Sequence, residues 1–273
     1  MIALPRASAI LHRHAWAVAW LAGLLAGVAA AADFEGYPRL DRQAVLEKLT
    51  HPGANAKPEI YGTNLSGVDL SGVDFRGANL SASVFNNAKL TRATLDRCNL
   101  TVSFLEGADL TDASLREAVL FSVQLAGANL KGANLQRVRL IGDLRRVDLS
   151  RAQLMNAQAA ADMRNQSMGL MRVTLTNAKA IEADFSDADF SRADFSFSDL
   201  SRAKMQRTRL HRAELSGAVL AGADLTGADL SEAVLIDTDF SGANLTNTDF
   251  TDATFRNVKG LETATKSGAR GLP

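Results

Sequence analysis

Four methionines in one irregular stretch are the residues whose type and spacing most suggest chemistry: Met155, Met163, Met168 and Met171. Thioether sulfur is a soft ligand that suits Cu(I), so such a cluster can form a copper site. No histidine or cysteine joins the cluster, and flexible methionine side chains also fill irregular gaps in protein cores. Both interpretations stay open, with Met163, Met168 and Met171 as the candidate metal ligands.

Catalytic motifs are missing from the rest of the sequence. His51 and His211 are the only histidines after residue 32, and no Ser-His-Asp set, HExxH motif or glycine-rich phosphate loop is present. Cys98 is the single cysteine, and we predict that it is a small buried hydrophobe rather than a reactive thiol. Asp184 and Asp189 belong to a regular series, so their spacing does not indicate a general acid and base. We predict that the protein is not an enzyme and needs no cofactor.

The chain that positions these residues has a hydrophobic pattern with a period of five residues. Every fifth residue from Leu65 through Leu140 is Leu or Phe, in all sixteen cases, and the run resumes at Leu175 and reaches Phe255 with two exceptions. A small residue lies two positions before each of them along most of the run. An α-helix has a period of 3.6 and a strand a period of 2.0, so the chain is a repeat architecture.

The repeating units carry a resemblance to a known family. Ala78-Asn-Leu-Ser-Ala and Ala223-Asp-Leu-Thr-Gly are typical units. With them the chain resembles the pentapeptide repeat family, whose consensus is A(D/N)LXX, over residues 61 to 260. The resemblance implies an all-β fold, a right-handed quadrilateral β-helix (a β-solenoid) with four pentapeptides per coil. It also implies that the small residue and the central Leu or Phe point inward. The implied core includes Leu65, Leu70, Phe75, Leu80, Leu110, Leu130, Phe185, Phe190, Leu225, Leu230 and Phe250.

The N-terminal residues 1–32 are typical of a secretory signal peptide. Basic Arg6 and Arg13 precede the apolar stretch 15–28, and the small residues 29–32 supply a cleavage site. An uncleaved membrane anchor is the alternative, but the apolar stretch is short for a span. We therefore expect a periplasmic or secreted protein that has no membrane span after cleavage.

The remaining chain is predicted to divide into a cap, repeats, an insertion and a tail. The cap segment is 33–60, with a short helix at 41–50 that covers the open first coil. Repeats occupy 61–154 and 171–260, an irregular insertion lies at 155–170, and a flexible tail follows at 261–273. Insertions in solenoids tend to mark the functional face, and a tolerated insertion without function is the alternative.

Charge is segregated along the sequence. Residues 131–180 carry nine Lys or Arg and three Asp, whereas residues 213–255 carry eight acidic residues and no Lys or Arg. A basic segment and an acidic segment of this kind can bind a charged partner. The alternative is that both are ordinary solvent-exposed surfaces without a partner. We expect the basic run from Arg202 to Arg212 to spread around a coil rather than cluster on one face.

The leading functional hypothesis is a non-catalytic binding or scaffold protein of the cell envelope, with an unknown protein partner. A homodimer through an end coil stays open. Some members of the family mimic DNA and bind type II topoisomerases, which requires an acidic rod in the cytoplasm. The zero net charge and the signal sequence disfavour that function, and nucleic acid is not favoured as a partner. A copper-responsive role through the Met155–Met171 segment is the third hypothesis.

Overall fold

Stacked coils of twenty residues make up almost all of the described chain. The structure is a computed structural model, and it describes residues 34, 36–51, 57–160 and 172–273. The chain divides into two units, Met1–Glu35 and Gly36–Pro273, and the coils belong to the second. The predicted signal peptide and the methionines Met163, Met168 and Met171 lie outside the described residues.

Each coil pairs with the next in parallel, one residue per face. Asn79 pairs with Asn99, and Asp184 pairs with Lys204, in each case twenty residues apart. The pairing extends into short strands at four places: β1 (Val119–Gln124), β2 (Arg139–Asp143), β3 (Val234–Ile236) and β4 (Thr254–Arg256). β1 is parallel to β2 and β3 to β4. This is the right-handed quadrilateral β-helix implied by the repeats.

A tight turn at every fifth residue forms the four edges of each coil. In the first of them, the Val68 amide donates to the Leu65 carbonyl at 3.2 Å, and Gly67 has a φ of 71°. A positive φ at the third residue is the mark of a type II turn. The same slot holds Arg92 and Arg97 in later repeats, also with positive φ. The ladder of pairing on both sides of each turn therefore holds non-glycine residues in a conformation that costs about 1–2 kcal/mol.

The interior is filled by one large and one small side chain per face. All eleven predicted core residues are buried. Polar residues in the small slot are satisfied by the preceding coil: Ser103 Oγ donates to the Leu80 carbonyl at 2.9 Å, and Thr208 Oγ1 donates to the Phe185 carbonyl at 2.9 Å. The slot thus accepts small hydroxyl side chains without leaving an unpaired group in the core.

The cap helix α1 (Arg42–Thr50) lies within the predicted segment 33–60. Asp41 is its N-cap residue, and the Asp41 carboxylate accepts from the Ala44 amide at 2.9 Å. Val45 is fully buried in the core, with Leu46 and Leu49 partly buried against it. The helix covers the apolar start of the solenoid, which would otherwise be exposed to solvent.

After Leu140 the five-residue period slips by one position, because one coil is a residue short. Phe121 is opposite Ile141, twenty residues on, but Val123 is opposite Gly142, only nineteen residues on. The irregularity lies at the edge where β1 meets β2. A side chain at residue 142 would overlap the Val123 backbone, so the short coil depends on glycine at this position.

The predicted insertion at 155–170 starts later than the sequence suggested. Gln158 still pairs with Arg139 on one side and Asp189 on the other, and Ala159 is buried in the core. Asp143 pairs with Thr174, thirty-one residues on, which is eleven more than a regular coil. The extra length therefore lies between Ala160 and Arg172. The interpretation failed because Ala159 fills the central slot in place of Leu or Phe.

The predicted flexible tail at 261–273 is also corrected. Thr265 pairs with Asn244 and Arg270 with Asp249, each twenty-one residues apart, so one extra residue is accommodated just after Gly260. These residues continue the last coil. Lys266 occupies the central slot below Leu245 and is exposed. The absence of Leu and Phe from the central slots hid this coil from the sequence pattern.

Candidate interaction surface

Cys98 has the surroundings of a structural residue. Its side chain is fully buried, and Sγ donates to the Phe75 carbonyl at 3.1 Å. Burial raises the pKa of the Cys98 thiol to about 12. The thiolate is the nucleophilic form, so this thiol is inert near neutral pH, in agreement with the prediction.

Alkylation of Cys98 is expected to require unfolding. In the native protein at about pH 8, iodoacetamide should leave the thiol unmodified, because burial excludes the reagent and keeps the thiol protonated. Mass spectrometry after exposure in concentrated guanidinium should find full modification. Rapid modification of the native protein would show that the coil around Cys98 opens.

The regular aspartates do not form a catalytic pair. Asp184, Asp189, Asp194 and Asp199 lie on four successive faces of one turn of the solenoid, one per face. Each carboxylate accepts from the backbone amide two residues on, at 3.0–3.1 Å, as in Ser186 N to Asp184 Oδ1. These Asx-type bonds brace the turns, which explains why the repeat uses Asp or Asn at this position.

The two histidines, His51 and His211, also do not form a catalytic group. His51 is the C-cap residue of α1, and His211 lies on an edge of the rod, where its Nδ1 is 2.9 Å from Ser231 Oγ. Within the described ranges, no three His, Cys, Asp or Glu side chains are arranged to hold a metal ion. The candidate copper ligands are among the residues left undescribed.

Acid is expected to destabilise the protein through its turn aspartates. A hydrogen bond from Ser241 holds the pKa of Asp239 below its ordinary value, and one from Thr251 does the same for Asp249. A folded-state pKa below the unfolded value gives stability that is present above about pH 4 and is lost as pH falls through the folded pKa.

The midpoint of thermal unfolding should therefore stay nearly constant between about pH 5 and 8 and fall at lower pH. Asp239→Asn with Asp249→Asn should weaken this fall, because Asn keeps the acceptor and does not titrate. An unchanged acid slope in that double variant would contradict the assignment.

The basic run 202–212 is neutralised by the coils next to it. Arg202, Lys204, Arg207 and Arg209 each pair with the acidic residue twenty positions earlier, at N···O distances of 2.6–4.0 Å. Arg212 pairs forward with Glu232 at 2.6 Å. The run spreads around the coil, as expected. Its side chains form ion pairs with acidic residues of neighbouring coils, so they are not free to bind a partner.

The acidic stretch 213–255 is bordered by basic residues on both sides. Asp229 stacks on Asp249, and Arg270 of the last coil pairs with Asp249 at 3.0 Å. Lys259 is paired with Asp239 through the backbone of the adjacent coil. Basic coils thus lie on both sides of the two acidic coils, and the acidic surface does not extend further along the rod.

A polar cleft lies beside the position where the insertion leaves the solenoid. It has a volume of about 450 Å³, and Gln158, Asp187, Asp189 and Arg209 are among its lining residues. The carboxylates are already engaged, since Asp187 pairs with Arg207 and Asp189 with Arg209. The cleft can accept polar groups, but among the described residues it offers no free charge for catalysis or for anchoring an ion.

Three exposed aromatic residues are the features that sequence reasoning missed. Tyr61 is 59% exposed, Phe121 is 37% exposed and Phe197 is 65% exposed. Each lies one or two positions after the inward Leu, Ile or Phe, in the slots that the repeat fills with Ser, Thr, Gly or charged residues. That position was the signal available in the sequence. Exposed aromatics are enriched in protein–protein interfaces, so they are the best candidates for contact residues.

The solved structures that resemble this chain are themselves repeat proteins. HetL of Nostoc sp. strain PCC 7120, a pentapeptide repeat protein involved in heterocyst differentiation regulation, is 26% identical over 84% of this chain and 98% of its own, with a TM-score of 0.39. A trypsin-treated variant of QnrB1, a plasmid-mediated fluoroquinolone resistance protein, is 18% identical over 76% and 88%, with a TM-score of 0.45.

The family follows from the sequence match. Within the described residues, no helix is sufficiently long and apolar to cross a bilayer. No curated protein matches the chain. The model of the family described as pentapeptide repeats matches eight copies, at residues 63–101, 105–140, 170–207 and 213–252, more than half of the chain. The coil geometry and this match together establish that the chain belongs to the pentapeptide repeat family.

Proposed function

We propose that this protein is a non-catalytic binding module of the cell envelope, which uses the outer surface of its solenoid to hold a protein partner. The observation that carries the proposal is the exposure of Tyr61, Phe121 and Phe197 on an otherwise polar rod whose backbone is paired from coil to coil. Aromatic side chains on a rigid scaffold lose little conformational entropy on binding.

The absence of reactive groups in the described ranges favours binding over catalysis. Cys98 is buried, the turn aspartates brace the backbone, and the cleft near Gln158 holds only paired charges. The envelope location rests on the signal-like residues 1–32. A function as a DNA mimic is the weaker candidate, because the acidic coils at 213–255 are bordered by basic residues on both sides and the net charge of the chain is zero.

Affinity isolation tests the proposal. The full chain with a C-terminal tag is expressed in its native organism, the cells are fractionated, and proteins are recovered from the envelope fraction after mild crosslinking. We expect the protein in that fraction, with the same partner in every replicate and none with an equally tagged unrelated periplasmic protein. A cytosolic chain, or no reproducible partner, would contradict the proposal.

A further inference from the structure

We propose that one edge of the N-terminal half of the rod is the contact surface, and that it inserts into an uncharged groove of a partner protein. We call this edge the neutral edge. It consists of Tyr61, Ser81, Ala82, Thr101, Val102, Phe121 and Ser122. The inference rests on the proposed function and adds the position of the site and the chemistry of the partner.

Backbone pairing places these residues in one line. The amides of Gly62, Ala82 and Val102 donate to the carbonyls of Ser81, Thr101 and Phe121, at 2.8–2.9 Å. Tyr61, Ser81, Thr101 and Phe121 thus follow one another at the same turn of successive coils. With coils about 4.8 Å apart, the line is about 15 Å long.

No residue of the neutral edge carries a charge at neutral pH, and the faces on both sides of it are uncharged over three or four coils. Pairing along the chain identifies the uncharged residues of those faces. They are Asn79, Asn99 and Val119 on one side, and Asn64, Val84, Phe104 and Gln124 on the other.

Charged residues mark only the borders of this region. Glu59 precedes Asn79 on the first face, and its carboxylate accepts from Asn79 Nδ2 at 2.7 Å. Arg139 follows Val119 on the same face, and Asp143 follows Gln124 on the other. The uncharged region therefore has a defined length along the rod.

The opposite edge of the same coils has the reverse character. It passes through Thr91, Arg92, Asp112 and Lys131, which follow one another through backbone pairing. The faces beside it add further charges. They are Asp69, Asp74, Lys89 and Asp109. The charges of these coils therefore lie outside the neutral edge and its two faces, on the opposite edge, the faces beside it and the two remaining edges, although the repeat allows them in the same slots on every edge.

The neutral edge also departs from the repeat in ways that cost stability. Val102 has a φ of 60°, a conformation that is unusual for a β-branched residue. Ser122 Oγ is buried and has no hydrogen-bond partner in the described part of the chain. Backbone strain and unsatisfied polar groups that the fold does not require tend to occur at functional sites.

Charge and shape define the partner. An edge without Lys or Arg does not attract nucleic acid or anionic lipid. Burying it leaves no unpaired charge, which suits the centre of a protein interface. Because the edge is a convex right-angle turn, its partner must be concave. The coils of a second copy present flat faces and convex edges, so we assign the groove to a different protein.

Site-specific photocrosslinking in the full chain in its native envelope tests this. Phe121→p-benzoylphenylalanine places the probe on the neutral edge, and Thr91→p-benzoylphenylalanine is the control on the opposite edge of an adjacent coil. We expect one discrete protein adduct from the first position and none from the second. Adding Thr101→Lys to the Phe121 probe should reduce the adduct about tenfold, because a charge enters an uncharged groove. Thr91→Lys should not reduce it.

The other outcomes overturn the inference in distinguishable ways. An adduct only from the Thr91 position leaves the proposed function standing and moves the site to the charged edge. An adduct with twice the mass of the chain identifies a second copy, and a glycosidase-sensitive smear identifies a glycan. No adduct from either probe contradicts the proposed function as well. Circular dichroism and the unfolding midpoint establish that each variant is folded.

Discussion

Replacement of Phe190 by alanine is expected to lower the free energy of unfolding by about 3–5 kcal/mol. Phe190 is fully buried, and its ring centroid lies 5.3 Å from that of Phe185 and 5.5 Å from that of Phe195. The square coil is closed on all sides by paired backbone, so the surrounding faces cannot collapse into the cavity. Both the lost burial and the cavity therefore contribute to the destabilisation.

Phe197→Ala is the matched control for this core substitution. Phe197 lies seven residues further along, is 65% exposed, and packs its ring over the backbone at Gly217. Its removal should change the free energy of unfolding by less than about 1 kcal/mol. Urea denaturation followed by circular dichroism measures both. Equal effects of the two substitutions would mean that Phe190 is not an interior residue of a closed coil.

Gly142→Ala is expected to destabilise the protein by about 3 kcal/mol, through a different mechanism. A Cβ at this position would overlap the Val123 carbonyl oxygen and lie 2.8 Å from the Val123 amide nitrogen. These atoms belong to the paired backbone of β1 and cannot rotate away as a side chain can. The coil that is one residue short must open locally to accept the methyl group.

Gly127→Ala separates this clash from the general cost of alanine at a turn. Gly127 has a φ of 68°, and a Cβ there would meet nothing within 4 Å. Its replacement should cost only about 1 kcal/mol, the strain of the left-handed conformation. Thermal or urea unfolding of both variants gives the comparison. A Gly142→Ala protein no less stable than Gly127→Ala would contradict the short-coil register at Val123.

The inward half of the structure could be predicted from the sequence, because the period of five and the family resemblance together specify the interior. Leu65, Phe185 and Phe250 are buried as their slots require. The prediction depends on Leu or Phe in the central slot, and this dependence also limits it. Where the central slot is filled by Ala159 or Lys266, the pattern disappears although the coil continues.

The surface could not be predicted to the same extent. Which outward residues share an edge depends on the length of every coil between them, and the sequence does not state that one coil is short and another is longer by eleven residues. Tyr61 and Phe121 lie before both irregularities, so their alignment could have been found by counting in twenties. In the sequence, each is an isolated aromatic residue in a slot that is usually polar. Only their alignment with uncharged neighbours on successive coils indicates a contact surface.

If the protein acts by binding a partner through the neutral edge, a charge placed on this edge must reduce recovery of that partner. The most direct test is quantitative recovery of the partner from envelope fractions by the tagged wild-type chain, Thr101→Lys and Thr91→Lys, each at equal expression. We expect equal recovery with wild type and Thr91→Lys, and about tenfold less with Thr101→Lys. Equal recovery with all three proteins would contradict the assignment of binding to the neutral edge. Failure of the wild-type chain to recover any partner would contradict the binding function itself.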